Sequence, residues 1–247
     1  MSTLRSGLRG PIAAFAALAA FAVLMGLGTW QIERKAWKEA LIATLSQRLA
    51  APPVELPPPE EWATLTRENA EFLRVRLRAE LQSGAEALVY TSGSPLRDDV
   101  KAPGYFVFTP ARLASGRQVV INRGYVPDRT APPSGAGPVD IVGAIRWPEA
   151  PSWFIGSHDS GGRTWHVRDP RLMAEVKGWG PVAPFYIEQE APVPPGGLPH
   201  PSALSVRLRN DHLQYALTWY GLAAVLAVMG GMMVLRTRRR APQPPQL

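Results

Sequence analysis

The chain has 247 residues, 26 of them proline and none cysteine, and its 27 basic against 20 acidic side chains leave a net charge of +7. That length accommodates one sizeable domain or two small ones. Without cysteine there is no disulfide framework, thiolate metal site, c-type haem attachment or cysteine nucleophile. Mean hydropathy near zero would suit a soluble protein, but the apolar residues are concentrated at the two ends.

Residues 12–30 (IAAFAALAAFAVLMGLGTW) carry no charge, and neither do residues 215–235 (YALTWYGLAAVLAVMGGMMVL). A spanning helix needs roughly 20 apolar residues, so both runs qualify, the second with its helix taken back to residue 211. A cleaved signal peptide is the alternative for the first, but no clear A-x-A site ends it and a charged helical pattern follows directly. Arg5 and Arg9 before the first run and Arg236, Arg238, Arg239 and Arg240 after the second supply six of the seven net positive charges. The segment between is close to neutral, which argues against a nucleic-acid surface. Basic tails (residues 1–11 and 236–247) beside two spans instead predict cytoplasmic termini and an extracytoplasmic middle. Small residues at Ala13, Ala16, Ala17, Ala20, Ala22 and Gly26, and at Gly221, Ala224, Gly230 and Gly231, predict a packed helical hairpin.

Residues 31–50 are amphipathic at helical spacing, with Trp37, Leu41, Ile42 and Leu45 on one side. They continue the first helix or lie along the membrane surface. Residues 51–62, with five prolines, read as a stiff, extended linker without regular structure. A domain over residues 63–210 follows, with strand signals at 72–81, 88–91, 105–109, 118–122, 139–147, 164–167 and 184–189. Residues 114–117 look like a hairpin turn. Asp169 and Pro170 open a short helix to Lys177 as cap and first-turn proline. Proline-rich residues 131–138 and 191–201 read as loops. The fold class is therefore a two-helix transmembrane hairpin flanking a mostly antiparallel β (α+β) extracytoplasmic domain, as a sheet or small barrel.

There are four histidines. His158-Asp159-Ser160 resembles a triad in composition only, because chain neighbours rarely converge on one reacting atom. No HExxH, phosphate-binding glycine loop or paired-histidine spacing occurs, so a membrane-anchored hydrolase has little support. His200 lies between prolines and reads as solvated. His166, in a strand-like WHV, reads as a structural histidine, with a second metal ligand as the alternative. His212 stands where the chain enters the second span. Tyr215, Ala216 and Trp219 share its helix face. An imidazole there suits an axial ligand of haem iron, with the aromatics lining a macrocycle and Ala216 and Ala223 leaving room. The same residues also read as an aromatic belt at headgroup depth, and the pattern alone favours the belt.

Several segments together resemble the surfeit-locus family of cytochrome c oxidase assembly factors. They are residues 27–31 (LGTWQ) with 34–38 (RKAWK), the strand around Arg74-Val75, and Gly104-Tyr105 with Pro110. They continue with residues 120–127 (VINRGYVP), 184–188 (PFYIE) and 210–221 (NDHLQYALTWYG). The resemblance implies a non-enzymatic factor that binds haem a through His212 and assists its delivery to oxidase subunit I. Haem a synthase is a possible further partner and the lipid bilayer the surroundings. On this reading Trp30 and Gln31 close the other side of the pocket. Arg123 pairs with a propionate or, in the structural alternative, bonds backbone carbonyls at a strand end. The short amino-terminal tail points to a bacterial plasma membrane with a periplasmic domain. The rival is a scaffold without cofactor that holds the oxidase subunit or the synthase.

Overall fold

The computed structural model describes residues 4–130, 132–149, 158, 164–205 and 210–239, with side chains from residue 12 to residue 236. The outermost tails, Asp159 and Ser160 of the triad-like trio, and part of the loop that opens at residue 131 lie outside the described residues. The chain divides into two compact units, Met1–Leu41 with Arg209–Leu247, and Ile42–Leu208.

The first unit is built on two helices. Helix α1 runs unbroken over Leu4–Ala50, and α4 closes the chain over His212–Arg239. Both are long and apolar enough to cross a bilayer, judged by length and composition. Between residues 12 and 40 of α1 the shielded positions are Ala17, Phe21, Leu24, Leu27, Gly28, Gln31, Lys35 and Lys38, and all but Leu27 alternate by four and three residues. On α4 His212, Ala216, Trp219, Ala223 and Leu226 repeat the same rhythm. Such a seven-residue rhythm keeps one seam of each helix against its neighbour.

The glycine register differs from the sequence expectation. Gly26, Gly221, Gly230 and Gly231 meet nothing within 4 Å of a Cβ position. The close approach is instead at Gly28, where a Cβ would stand 2.5 Å from Cε1 of Tyr220. Ala216 and Ala223, expected to leave room for a ligand, are buried on the packing seam. Small residues along a helix permit close packing on any face, and the seam is chosen by its large members.

The amphipathic half of α1 also differs. Trp37 and Leu41 are exposed while Ile42 and Leu45 are half-buried. Trp37 instead lies under the Arg34 guanidinium, 3.9 Å from ring centroid to Cζ. Leu45 and Leu49, within the second unit, pack on Phe72, Ala144 and Leu204.

The proline-rich stretch after α1 is stitched down rather than free. Val54–Glu55 forms strand β1, parallel to the start of β2 (Arg74–Leu81). A 3-10 helix over Pro59–Thr64 then buries Trp62, whose Nε1 donates to the Pro57 carbonyl at 2.8 Å. A buried indole needs such an acceptor. Thr66 and Asn69 form a reciprocal capping box on the short α2, Arg67–Ala70. Phe72 turns the corner into β2 with a positive φ of 63°.

Strands β3 (Ala87–Thr91), β4 (Gly104–Leu113), β5 (Gln118–Val126), β6 (Pro138–Arg146), β7 (Thr164–Trp165) and β8 (Val182–Ala191) complete the sheet. Helix α3 (Pro170–Lys177) precedes β8, with Asp169 Oδ1 accepting from the Arg171 and Leu172 amides and Gly178 ending it in the left-handed region. The order is β1-β2-β6-β8-β5-β4-β3-β7, and β2 also pairs with β4. That extra pairing closes β2, β6, β8, β5 and β4 into a barrel. Within the ring only β5 and β8 are parallel.

Alternation along the strands separates two cores. Val75, Leu77, Val119, Ile121, Phe185 and Ile187 fill one cluster with Trp62. The intervening Val120 and Tyr186 belong to the other, together with Phe106, Phe108, Met173 and Trp165. Thus β5 and β8 are apolar on both faces, which explains their continuous hydrophobic reading.

Candidate functional site

His212 is the first residue of α4, and Gln31 lies on the packing seam of α1. The imidazole Nδ1 stands 2.7 Å from Gln31 Oε1. An amide oxygen only accepts, so this bond requires the proton on Nδ1 and leaves a lone pair on Nε2. An imidazole whose second nitrogen is held by a carbonyl oxygen is the arrangement that orients histidines toward metals. Both residues belong to the helix unit.

A second side-chain contact ties the two helices nearby. Thr29 Oγ1 and the Tyr220 hydroxyl are 3.2 Å apart, and Thr29 also donates to the Met25 carbonyl at 3.0 Å. Tyr215 and Trp30 are exposed, whereas Trp219 is half-buried with its Nε1 unpartnered. A cleft lined by Asn210, Asp211, Leu213, Gln214, Leu217 and Thr218 lies on the other side of α4 and excludes His212. Among the described residues no group of three or more histidines, aspartates or glutamates could hold a metal ion by itself. The donor on offer is a single imidazole, which suits an iron already held by a macrocycle.

Of the residues singled out from the sequence, the structure brings Gln31 and His212 into contact. Tyr215, Trp219 and Trp30 sit on the same two helices. Arg123 belongs to the barrel unit. It is buried, with Nη1 donating to the Pro132 carbonyl at 3.0 Å and Nη2 to Pro133 at 3.4 Å, and Glu86 lies 3.8 Å away. Burial pulls this guanidinium below its ordinary pKa, against the opposing pull of Glu86. Its geometry is that of the structural alternative, a guanidinium on backbone carbonyls, with the difference that these belong to the loop between β5 and β6 and not to a strand end.

The rest of that signature is equally structural. Asn122 Nδ2 donates to Glu188 Oε2 at 2.8 Å, and its Oδ1 accepts from the Gly124 amide. Gly124 (φ 121°) abuts the His200 carbonyl, so any Cβ would overlap it. Tyr125 exchanges two backbone hydrogen bonds with His200 and covers Gly104 with its ring. The His200 side chain itself is exposed, as expected. His166, read from the sequence as a structural histidine, is exposed as well, with its ring edge-on to Tyr90. His158 forms a bridge with Trp165.

A charged network that sequence reading missed runs through the barrel wall. Arg97 is buried and bonds Asp99 through Nε and Nη2 and the His200 carbonyl through Nη2. Arg146 Nε donates to Glu71 at 2.8 Å. Tyr186 is fully buried without a partner for its hydroxyl, and burial pushes its pKa up to about 12. Each of these pairs joins distant or non-periodic positions, so no local signal in the sequence announces it.

The family model described as the SURF1 family matches residues 18–224. The chain is 33% identical over 227 residues to Surfeit locus protein 1 of Takifugu rubripes, covering 84% of this chain and 91% of that protein. It is 32% identical to the Homo sapiens protein of the same name, over 85% and 74% of the two chains. It is 35% identical to a SURF1-like protein of Monosiga brevicollis, over 90% and 89%. The match runs from the middle of the first apolar helix through the barrel to Ala224 in α4, and on that extent the chain belongs to the SURF1 family of cytochrome c oxidase assembly factors.

Proposed function

We propose that this chain is a membrane-anchored carrier that binds haem a through His212 and assists its delivery to subunit I of cytochrome c oxidase, without itself catalysing a reaction. The observation that carries the reading is the 2.7 Å contact between His212 Nδ1 and Gln31 Oε1. It fixes the tautomer that leaves Nε2 able to donate electrons to iron. When bound, the haem would supply an iron able to take an imidazole ligand and a macrocycle too apolar to travel through water. The chain supplies the rest: one imidazole held by Gln31, the exposed aromatic side chains of Tyr215 and Trp30, and two apolar helices to keep the ligand at membrane depth. A single oriented imidazole gives binding that is firm yet releasable, as a carrier needs.

In this reading α1 and α4 span a bacterial inner membrane, both termini are cytoplasmic and the barrel unit is periplasmic. The four-arginine tail after α4 and the two arginines before α1 support that direction. Replacing His212 with alanine and measuring haem a co-purified from haem a-producing cells tests the ligand. Lost haem and a shifted absorption spectrum are expected. Unchanged content and spectrum reject His212. A colourless wild-type preparation would instead leave a scaffold for the oxidase subunit or the haem synthase.

A further inference from the structure

We infer that the helix pair takes its haem in one orientation, with the carboxylate edge outward at Lys35 and Lys38 and an isoprenoid tail inward in the cleft beside Ala17 and Gly230. The inference rests on His212 as the iron ligand.

The inward part stands on a cavity. From the Gln31–His212 contact the helices stay together past Gly28 and Tyr220. Beyond Phe21 and Leu226 they part around a cleft of about 610 Å³. Its lining includes Ala17, Leu18, Phe21, Ala227 and Gly230 and no charged side chain. Small-molecule sites typically measure roughly 300–1,000 Å³, so the cleft has room for a chain of isoprene units. At 1.5 Å rise per residue, Phe21 lies about 15 Å and Ala17 about 21 Å from Gln31 along the helix. A farnesyl chain with carbon–carbon bonds of about 1.5 Å reaches on the order of 15 Å beyond the rim of its macrocycle. The tail of a haem ligated at His212 therefore arrives at the cleft. A haem without the tail leaves it to lipid.

The outward part stands on the other end of the same seam. Lys35 and Lys38 follow Gln31 by four and seven residues on the packing face of α1, so Lys35 stands about 6 Å farther out. Its ammonium pairs with Glu39 at 2.7 Å, in a half-exposed i,i+4 contact of the kind that yields readily to a better partner. Haem propionates lie on the edge of the macrocycle opposite the isoprenoid substituent. Ligation at His212 with the tail in the cleft turns those carboxylates toward the lysines. The lysines take the role that the buried Arg123 of the barrel unit, engaged with Pro132 and Pro133, does not offer.

The test titrates the full-length protein in detergent with three probes. Haem o carries a hydroxyethylfarnesyl chain where haem b carries a vinyl group, and protohaem dimethyl ester differs from haem b only by its blocked carboxylates. The wild type should bind haem o at least about tenfold more tightly than haem b. It should bind haem b about three- to fivefold more tightly than the ester. Ala17→Leu with Gly230→Leu should abolish the first preference and leave haem b binding intact. Lys35→Gln with Lys38→Gln should abolish the second and leave the first. Equal wild-type affinity for haem o and haem b, which needs no variant to fold, overturns the inference. So does a lysine variant that weakens acid and ester alike, as loss of lipid headgroup contacts would. The His212 reading fails separately, through an unchanged Soret band of haem b in His212→Ala, and the orientation would fall with it.

Discussion

Gln31 Oε1 accepts the hydrogen bond from Nδ1 of His212 at 2.7 Å across 181 residues of sequence. A residue of the first apolar helix thereby sets the tautomer of the imidazole that opens the second. Gln31→Leu removes the acceptor and should weaken haem binding by about 10- to 100-fold, whereas Gln31→Glu keeps an acceptor and should lose less. Haem titration of both variants decides it; equal affinity of Gln31→Leu and wild type would show the bond to be idle.

The contact at Gly28 should be similarly exacting. A Cβ there stands 2.5 Å from Cε1 and 2.8 Å from Cδ1 of Tyr220, so Gly28→Ala must displace the ring and break its bond to Thr29. A loss of about 1–3 kcal/mol is expected. Thermal unfolding in detergent should show most of it recovered by Tyr220→Leu in the same chain, and additive losses would deny the coupling.

At Gly124 the obstacle is backbone, which cannot swing aside. Its φ of 121° is strained for other residues and its Cβ direction is filled by the His200 carbonyl. Gly124→Ala should cost about 3 kcal/mol or more and open the Tyr125–His200 bridge. Yield of folded protein and amide exchange at Tyr125 read this out.

Asp99 should make the barrel sensitive to acid. Partial burial pushes its pKa up, but the Arg97 hydrogen bonds and charge outweigh burial and hold it below the ordinary value of 3.8. A carboxyl whose pKa is depressed by folding stabilises the fold above its unfolded pKa and loses that contribution as the pH falls through its folded value. Stability should therefore drop below about pH 4, and Asp99→Asn should flatten that part of the profile. A variant with the wild-type acid limb would assign the loss to other carboxylates.

Tyr186 presents the opposite case. Its hydroxyl is buried with no partner, so Tyr186→Phe removes an unsatisfied group at little cost in packing. The melting temperature should stay level or rise, by up to about 1 kcal/mol of stability. A clear decrease would mean that the hydroxyl is satisfied in solution.

How far the residues announce this structure varies with range. The strand at Gln118–Val126 was legible to residue 122, where the β-branched run stops. Its continuation through Arg123, Gly124 and Tyr125 depends on long-range pairing, with Tyr105 and Phe106 of β4 on one side and His200 from a distant loop on the other. The cap at Asp169 and the helix to Lys177 were legible because both signals are local. Val54–Glu55 was not, because two residues between prolines become a strand only when β2 offers its edge. In the candidate site His212 stood out by its place at the head of an apolar run. Gln31 stood out beside Trp30 only through the family resemblance, and its bond to His212 was not legible, because the two residues lie 181 positions apart in the chain.

What the amino-acid order determines alone is whatever rests on neighbours within a turn or two: the two apolar helices, the strand segments, the caps and the bias of positive charge to the tails. Tertiary structure alone decides which faces meet. It puts the seam at Gly28 rather than Gly26, closes five strands into a ring through the β2–β4 pairing, and buries Arg123 against Pro132 and Pro133. The division has a physical cause. Helix and strand periodicity follow from backbone geometry residue by residue. Packing partners are instead chosen by the combined shape and hydrogen-bonding needs of groups that the chain brings together only when folded.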